Sequence, residues 1–374
     1  MDRIYFDNAA TTPLDPEVLQ TMLPYMQGQF GNPSSIYSYG RETRLAIENA
    51  RKTTAKILGC KPGEIFFTSG GTESNNTAIA AAIRDLKCTH IITSPVEHHA
   101  VLHTVEHYGK TGVVTTSFVA LTEQGEVDYN DLELQLQHAD GKCLVTLMQA
   151  NNEIGVMLDM KRVGGLCEKY GAVFHSDCVQ TVGHYPINLS ALHVHFISAA
   201  GHKFHGPKGT GILYVREGLS INPFIFGGGQ ERNLRAGTEN VYGIVGFAKA
   251  LEIATANHER DKEYIAGLKR YMKDELQKNI ADVSFHCAHG ETLYTVLSAC
   301  FPKTEKSEML LLALDMNHIC ASGGSACSSG ADQGSHVIRA LNKDAAYVTV
   351  RFSFSKYNTR DEIDAVVKKL TDLI

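Results

Sequence analysis

Ile65-Phe66-Phe67-Thr68-Ser69-Gly70-Gly71-Thr72-Glu73-Ser74-Asn75-Asn76 begins as a short apolar strand, breaks at a Ser-Gly-Gly turn and restarts as a helix rich in Ala and Ile. A strand that ends in glycine and feeds a helix gathers several backbone N–H groups at one point, an arrangement that favours a phosphate. Taken alone, the stretch also fits an ordinary strand-to-helix turn. Working outward, Ile91-Ile92-Thr93, Leu144–Met148, Ala172–His175 and His195–Ser198 read as further short buried strands, with helical stretches between several of them. Short apolar strands alternating with helices predict an α/β domain with a mainly parallel sheet. Residues 15–27 and 40–58 carry helical periodicity.

The texture changes after about residue 245. A long charged helix over 243–278, strand-like pieces at 292–300 and 347–354, and an amphipathic helix over 359–373 predict a smaller α+β domain. The expected division is a large domain at 14–250 and a small one formed by 1–13 and 251–374. The small domain includes the Gly/Ser-rich stretch Ala321–Gly330. No internal repeat or low-complexity tract interrupts the chain.

At 374 residues the chain is long enough for a large core and a satellite. Its composition, 43% hydrophobic and 20% charged with net charge -6, is that of a globular protein and argues against an electrostatic nucleic-acid binder. No apolar run approaches the ~18 residues of a membrane span, and Met1–Asp7 lacks a signal layout, so a cytoplasmic protein is expected. The nine cysteines include no Cys-x-x-Cys pair. That speaks against a disulfide framework and against zinc, and leaves most thiols as small buried groups. No metal is expected.

Two further stretches carry chemistry. In His175-Ser176-Asp177-Cys178-Val179-Gln180 an acid closes a buried strand, where a carboxylate is costly unless paired. A protonated pyridine nitrogen is a suitable partner; a helix cap is the alternative use. In Gly201-His202-Lys203-Phe204-His205-Gly206-Pro207-Lys208-Gly209 a lysine follows a strand within a Gly/Pro-rich turn. A lysine held there is suited to a Schiff base if its surroundings lower its pKa. Lys208 reads as the surface lysine and Lys203 as the buried one. Phosphate turn, acid and lysine in this order say more together than any one does alone.

With these stretches in view, the chain resembles the cysteine desulfurases of the NifS/IscS group, which have the class V aminotransferase fold, and it does so nearly end to end. The markers are Asp7–Thr12, Gly31–Ser35, Thr68–Asn75, Glu97-His98-His99, Asn151–Gly155, His202–Gly209, Arg235–Thr238 and Gly324-Ser325-Ala326-Cys327. The resemblance implies a fold type I, pyridoxal 5'-phosphate (PLP)-dependent architecture and assigns roles position by position. Lys203 forms the Schiff base, Asp177 pairs with the pyridine nitrogen and Gln180 bonds the phenolate oxygen. His98 stacks on the ring and moves protons, and Asn152 lies beside ring and substrate. Gly71, Thr72 and His202 bind the phosphate. Thr238 reaches the phosphate of a neighbouring subunit, which implies a homodimer with shared sites. Arg351, helped by Asn32, clamps the carboxylate of L-cysteine through its planar fork. At one position the chain departs from the family: a serine usually stands three residues before the lysine, and here it is Ala200. One phosphate hydrogen bond is therefore expected to be replaced by water or lost.

Cys327 lies among small polar residues and glycines, a poor core and a good mobile arm. Cys320, at the end of an apolar stretch, reads as its buried rival. The expected reaction removes sulfur from L-cysteine, releases L-alanine and holds the sulfur as a persulfide on Cys327. The expected acceptor is a protein such as an iron–sulfur scaffold or a tRNA-thiolation enzyme. Selenocysteine lysis, another PLP-dependent lyase or aminotransferase reaction, and a non-catalytic sulfur-carrier scaffold are the competing readings.

Overall fold

The computed structural model describes residues 3–287, 292–304, 307–323, 334–341 and 347–374. Its strands in chain order are β1 (Ile4–Tyr5), β2 (Ile65–Thr68), β3 (His90–Thr93), β4 (Thr115–Phe118), β5 (Cys143–Thr146), β6 (Val173–Asp177), β7 (Phe196–Ala200), β8 (Gly211–Val215), β9 (Ser284–Phe285), β10 (Val296–Pro302), β11 (Ile319–Cys320) and β12 (Tyr347–Ser353). Seven of them make the main sheet in the order β2-β8-β7-β6-β5-β3-β4. β8 runs against both its neighbours, β2 and β7, and every other pair in the sheet is parallel. The mainly parallel α/β sheet expected from the alternation of strands and helices is present.

Burial explains the strand sequences. Successive side chains point to opposite faces. Ile92, Val145, Phe174 and Ile197 enter one apolar cluster, while Ile91, Leu144, Val173 and Phe196 enter another. Every residue of β6, β7 and β8 is buried. A sheet covered on both faces needs such continuous apolar runs. β4 differs: it is a mostly exposed, polar edge strand, and the sequence pattern did not single it out.

A third core gathers Phe6, Leu268, Met272, Phe301, Phe352 and Val367. It packs around the antiparallel sheet β12-β10-β9 and the parallel pair β1-β11. Bridges Asp7–Ser353 and Ser322–Arg351 join the pair to β12. The closing helix, Arg360–Leu373, starts at a capping box between Thr359 and Glu362.

The helix expected over 243–278 is two helices, Val241–Ala256 and His258–Asn279. Asn257 separates them with φ -106° and ψ 7°, and its side chain donates to the Ile253 carbonyl at 3.0 Å. The first helix is largely buried; the charge belongs to the second. The strand expected over 292–300 spans Val296–Pro302 instead, since Thr292 makes only an isolated bridge to Val156. Among the described residues no helix is long and apolar enough to cross a membrane.

Candidate active site

The C-terminal ends of β2, β6 and β7 and the loop after β3 converge on one cleft, the usual place for a ligand in a parallel sheet. At its first end β2 turns through Gly70, whose φ of 151° suits glycine alone, into the helix Gly71–Arg84. A Cβ on Gly71 would sit 2.6 Å from Val179 Cγ2, so the backbone there is bare of necessity. Thr72, Ala200 and His202 line the same end. Burial, with Lys203 and Lys208 nearby, pushes His202 down to about 4, so its imidazole is neutral at pH 7.

Asp177 closes β6. Its Oδ2 accepts from Asn75 Nδ2 at 2.6 Å and its Oδ1 from the Val179 N–H at 2.9 Å. The backbone bond is the turn-forming use of an aspartate; the bond from Asn75 is not, and it orients the carboxylate. Asn75 Oδ1 is buried without a partner among the described residues. Lys203 follows β7 in a single tight turn, Gly201–Lys203. Its Nζ donates to the carbonyls of Ala9 at 2.6 Å and Ala10 at 2.8 Å, and Gln180 Nε2 also donates to Ala9 O, at 3.0 Å. The N-terminal segment thus runs across the cleft and holds the lysine. Lys203 is half-buried and Lys208 exposed.

His98 caps the helix His99–Lys110, with Nδ1 accepting from the Ala100 N–H at 3.1 Å. Burial lowers its pKa despite the attraction of Asp177. Its ring is therefore neutral, with the proton on Nε2. Glu97 beside it is 1% exposed. Its Oε1 accepts from Ser94 Oγ and from the N–H of Met148, a residue of the cleft wall. Oε2 has no partner. Burial pushes this carboxyl up to about 8.

Arg351, on β12, is 1% exposed. Nη2 pairs with Asp7 Oδ1 at 2.5 Å and Nη1 donates to the Asn152 carbonyl at 2.9 Å, while Nε is buried without a partner among the described residues.

Gly71, Thr72, His98, Asn152, Asp177, Gln180, His202, Lys203 and Arg351 therefore line one cleft. Asn32 and Thr238 do not. Asn32 is exposed, with Oδ1 accepting from the Ser34 N–H at 2.9 Å, and Thr238 is exposed beside Arg235 and Glu239. Cys327 lies outside the described residues. Cys320, expected to be buried, is half-buried on β11, and burial raises its pKa. Sequence reasoning assigned no role to Asn75, Glu97 or the Ala9 and Ala10 carbonyls. The available signal was, for Asn75, its place inside an Ala-rich helix. Backbone acceptors leave none.

The aminotransferase class-V family model matches residues 4–366. A cysteine desulfurase IscS of Dictyoglomus turgidum is 43% identical over 99% of this chain and 94% of its own. Among solved structures, a NifS-like protein shares 37% identity at a TM-score of 0.91, covering 99% of this chain and 98% of its own. SspA in complex with cysteine shares 30% identity at a TM-score of 0.84, covering 95% and 100%. The chain belongs to the class-V aminotransferase family and, within it, to the cysteine desulfurases of the NifS/IscS group.

The family's cofactor is PLP, and the cleft fits it. A phosphate has the helix start at Gly71 and Thr72, with neutral His202 beside it. A pyridinium has a carboxylate at Asp177 already oriented by Asn75, and an aldehyde has Lys203. The close approach of Val179 to Gly71 leaves a bare backbone where the phosphate would lie.

Proposed function

We propose that the chain removes sulfur from L-cysteine, releases L-alanine and carries the sulfur as a persulfide on Cys327, acting as a homodimer that passes the sulfur to an acceptor protein. The observation that carries this reading is the convergence of Asp177, Lys203, His98 and Arg351 on one cleft from separate segments of the chain.

Bound PLP supplies an electrophilic carbon and a ring that takes up the electron pair released at the substrate Cα. The protein's own groups do the rest. Gly71, Thr72 and His202 would hold the phosphate, Asp177 would keep the ring nitrogen protonated, and Gln180 would bond the phenolate oxygen in place of Ala9 O. Asn152 borders the ring and the substrate. Arg351 takes the substrate carboxylate in place of one of its present partners, and Asn32 assists. With PLP in place, Lys203 would leave the Ala9 and Ala10 carbonyls, hold the cofactor at its aldehyde carbon and carry the substrate Cα proton. Neutral His98, with Nε2–H available, shuttles protons at the ring. The Cys327 thiolate would attack the substrate sulfur; the new S–S bond forms as the substrate Cβ–S bond breaks, and the electron pair left at Cβ takes up a proton to give L-alanine.

Residues 14–250 are assigned to cofactor binding, and 1–13 with 251–374 to the second domain carrying Cys327. A dimer is supported by large exposed apolar side chains. Phe30, Ile36, Tyr37, Tyr39, Leu45 and Phe226 would otherwise face water. In that dimer, Thr238 reaches the partner's cofactor phosphate. Iron–sulfur assembly or tRNA thiolation is the proposed destination of the sulfur.

Alanine release from L-cysteine tests the reading. Cys327→Ala should keep PLP absorbance and lose alanine formation, and Lys203→Ala should lose turnover and hold PLP loosely. Normal turnover in either variant refutes the corresponding role.

A further inference from the structure

Beyond β8 the chain takes left-handed backbone at three consecutive residues that are not glycine: Glu231 (φ 43°), Arg232 (φ 57°) and Asn233 (φ 67°). Side chains with a Cβ avoid this region, and a run of three persists only where its surroundings impose it. The imposing contacts come from β2. β2 is the edge strand of the main sheet, so one side of its backbone lacks a neighbouring strand. The Ile65 carbonyl accepts from Arg51 Nη1 at 2.8 Å and from Arg232 Nη2 at 3.0 Å, and the Phe67 N–H donates to Glu231 Oε2 at 2.8 Å. Arg51 and Glu231 also bond each other through both nitrogens and both oxygens, each at 2.8 Å, with 2% and 5% of their surfaces exposed. Side chains thus occupy the open edge and fix the left-handed run to it.

The far end of the segment is fixed as well. Arg235 Nε and Nη2 donate to Glu73 Oε1 and Oε2 at 3.0 and 3.2 Å. Glu73 immediately follows Thr72 in the phosphate turn, and its Oε2 also accepts from the Ser69 N–H at 2.9 Å. Three residues past Arg235, exposed Thr238 leaves this scaffold. The left-handed run brings Glu231 to the Phe67 N–H and Arg232 to the Ile65 carbonyl, so the seal on the sheet edge and the course of the chain beyond it are set together. The strain buys direction, since it turns the chain from the sheet edge toward the phosphate turn and out to Thr238.

We propose that Arg51, Glu231 and Arg235 are positioning residues that hold Thr238 in place for the cofactor phosphate of the partner subunit. This rests on the homodimer reading given above. One piece of each chain, the end of β2, then carries both its own phosphate turn and the loop that completes its partner's site.

Heterodimers test this. Two differently tagged chains are co-expressed and purified as PLP-loaded mixed dimers. In the first pair one chain carries Lys203→Ala and the other Glu231→Gln. Its only working lysine faces a Thr238 loop from the chain with an intact scaffold. In the second pair both substitutions sit in one chain, opposite a wild-type chain, so the only working lysine faces the damaged loop. Positioning in trans predicts that the first dimer keeps PLP at its working site as wild type does, at about half the wild-type turnover. The second should release PLP about 10-fold faster from its working site, the kinetic equivalent of one lost contact to a charged group. Equal behaviour of the two dimers overturns the proposal, and so does the reverse asymmetry, with the first dimer the leakier, which is what a purely structural role confined to the substituted chain predicts. Arg235→Met, which breaks a half-exposed ion pair and spares the buried one, is run in the same layout with the same two outcomes, in case Glu231→Gln fails to fold. A monomeric holoenzyme in sedimentation refutes the dimer reading itself, a result distinct from dimers that form and show no asymmetry.

Discussion

Asn75 Nδ2 donates to Asp177 Oδ2 at 2.6 Å, across the junction between the phosphate-turn helix and the end of β6. The bond aims a carboxylate that would otherwise have only the Val179 N–H to orient it. Asn75→Ala should weaken PLP binding and slow alanine formation by about 10-fold each, in keeping with about 1–2 kcal/mol for a hydrogen bond to a charged acceptor. PLP titration and steady-state kinetics check it, and wild-type PLP affinity would mean that Asp177 needs no such support.

Arg351→Lys should raise KM for L-cysteine by about 100-fold and leave PLP absorbance unchanged. An ammonium cannot offer the two-pronged fork that a carboxylate accepts, and it cannot at once reach Asp7 and the Asn152 carbonyl, as Arg351 does. An unchanged KM would place the substrate carboxylate elsewhere.

Ala200 lines the phosphate end of the cleft and is 1% exposed. Ala200→Ser adds a hydroxyl donor there and should slow PLP release about 5-fold, the equivalent of about 1 kcal/mol. The check is loss of PLP absorbance during dialysis. No change would indicate that the phosphate lies out of reach of this residue.

Glu97 keeps its proton in the native state up to about pH 8, whereas its ordinary value is 4.5. The folded form therefore binds more protons than the unfolded form between those values. Stability falls as pH rises through this window, by at most about 1.4 kcal/mol per pH unit from this group. Glu97→Gln, an amide that cannot ionise, should flatten that slope. Denaturant midpoints measured at pH 6 and pH 8.5 decide it: an equal pH dependence in both proteins would show that Glu97 is ionised throughout.

Much of this architecture was legible in advance because burial writes itself into strands. β3, β5, β6 and β7 each hold an apolar pair from Val, Ile, Leu and Phe, and their positions differ from expectation only at their ends. β4 was not legible, because an exposed edge strand needs no apolar residues. The break at Asn257 was missed because helical periodicity continues through it, and only the bond from Asn257 to Ile253 marks the boundary. In the cleft, two residues with distinctive chemistry, Lys203 and Asp177, stood out, while Arg351 was assigned by resemblance. What holds them did not: Ala9 and Ala10 act through their carbonyls, and Asn75 acts from a helix that looks like plain core. The separate roles of His98, Gln180 and Asn152 came from resemblance rather than from any pattern of spacing.

The pairing of Asp7 with Arg351 joins positions 344 residues apart. During synthesis the main sheet is complete long before Arg351 emerges from the ribosome, so the nascent chain can collect its core while the carboxylate clamp is still unmade. The cleft closes only when the last strand docks beside the first few residues. A chain cut short before β12 would thus possess the lysine and the phosphate turn without the Asp7–Arg351 pair.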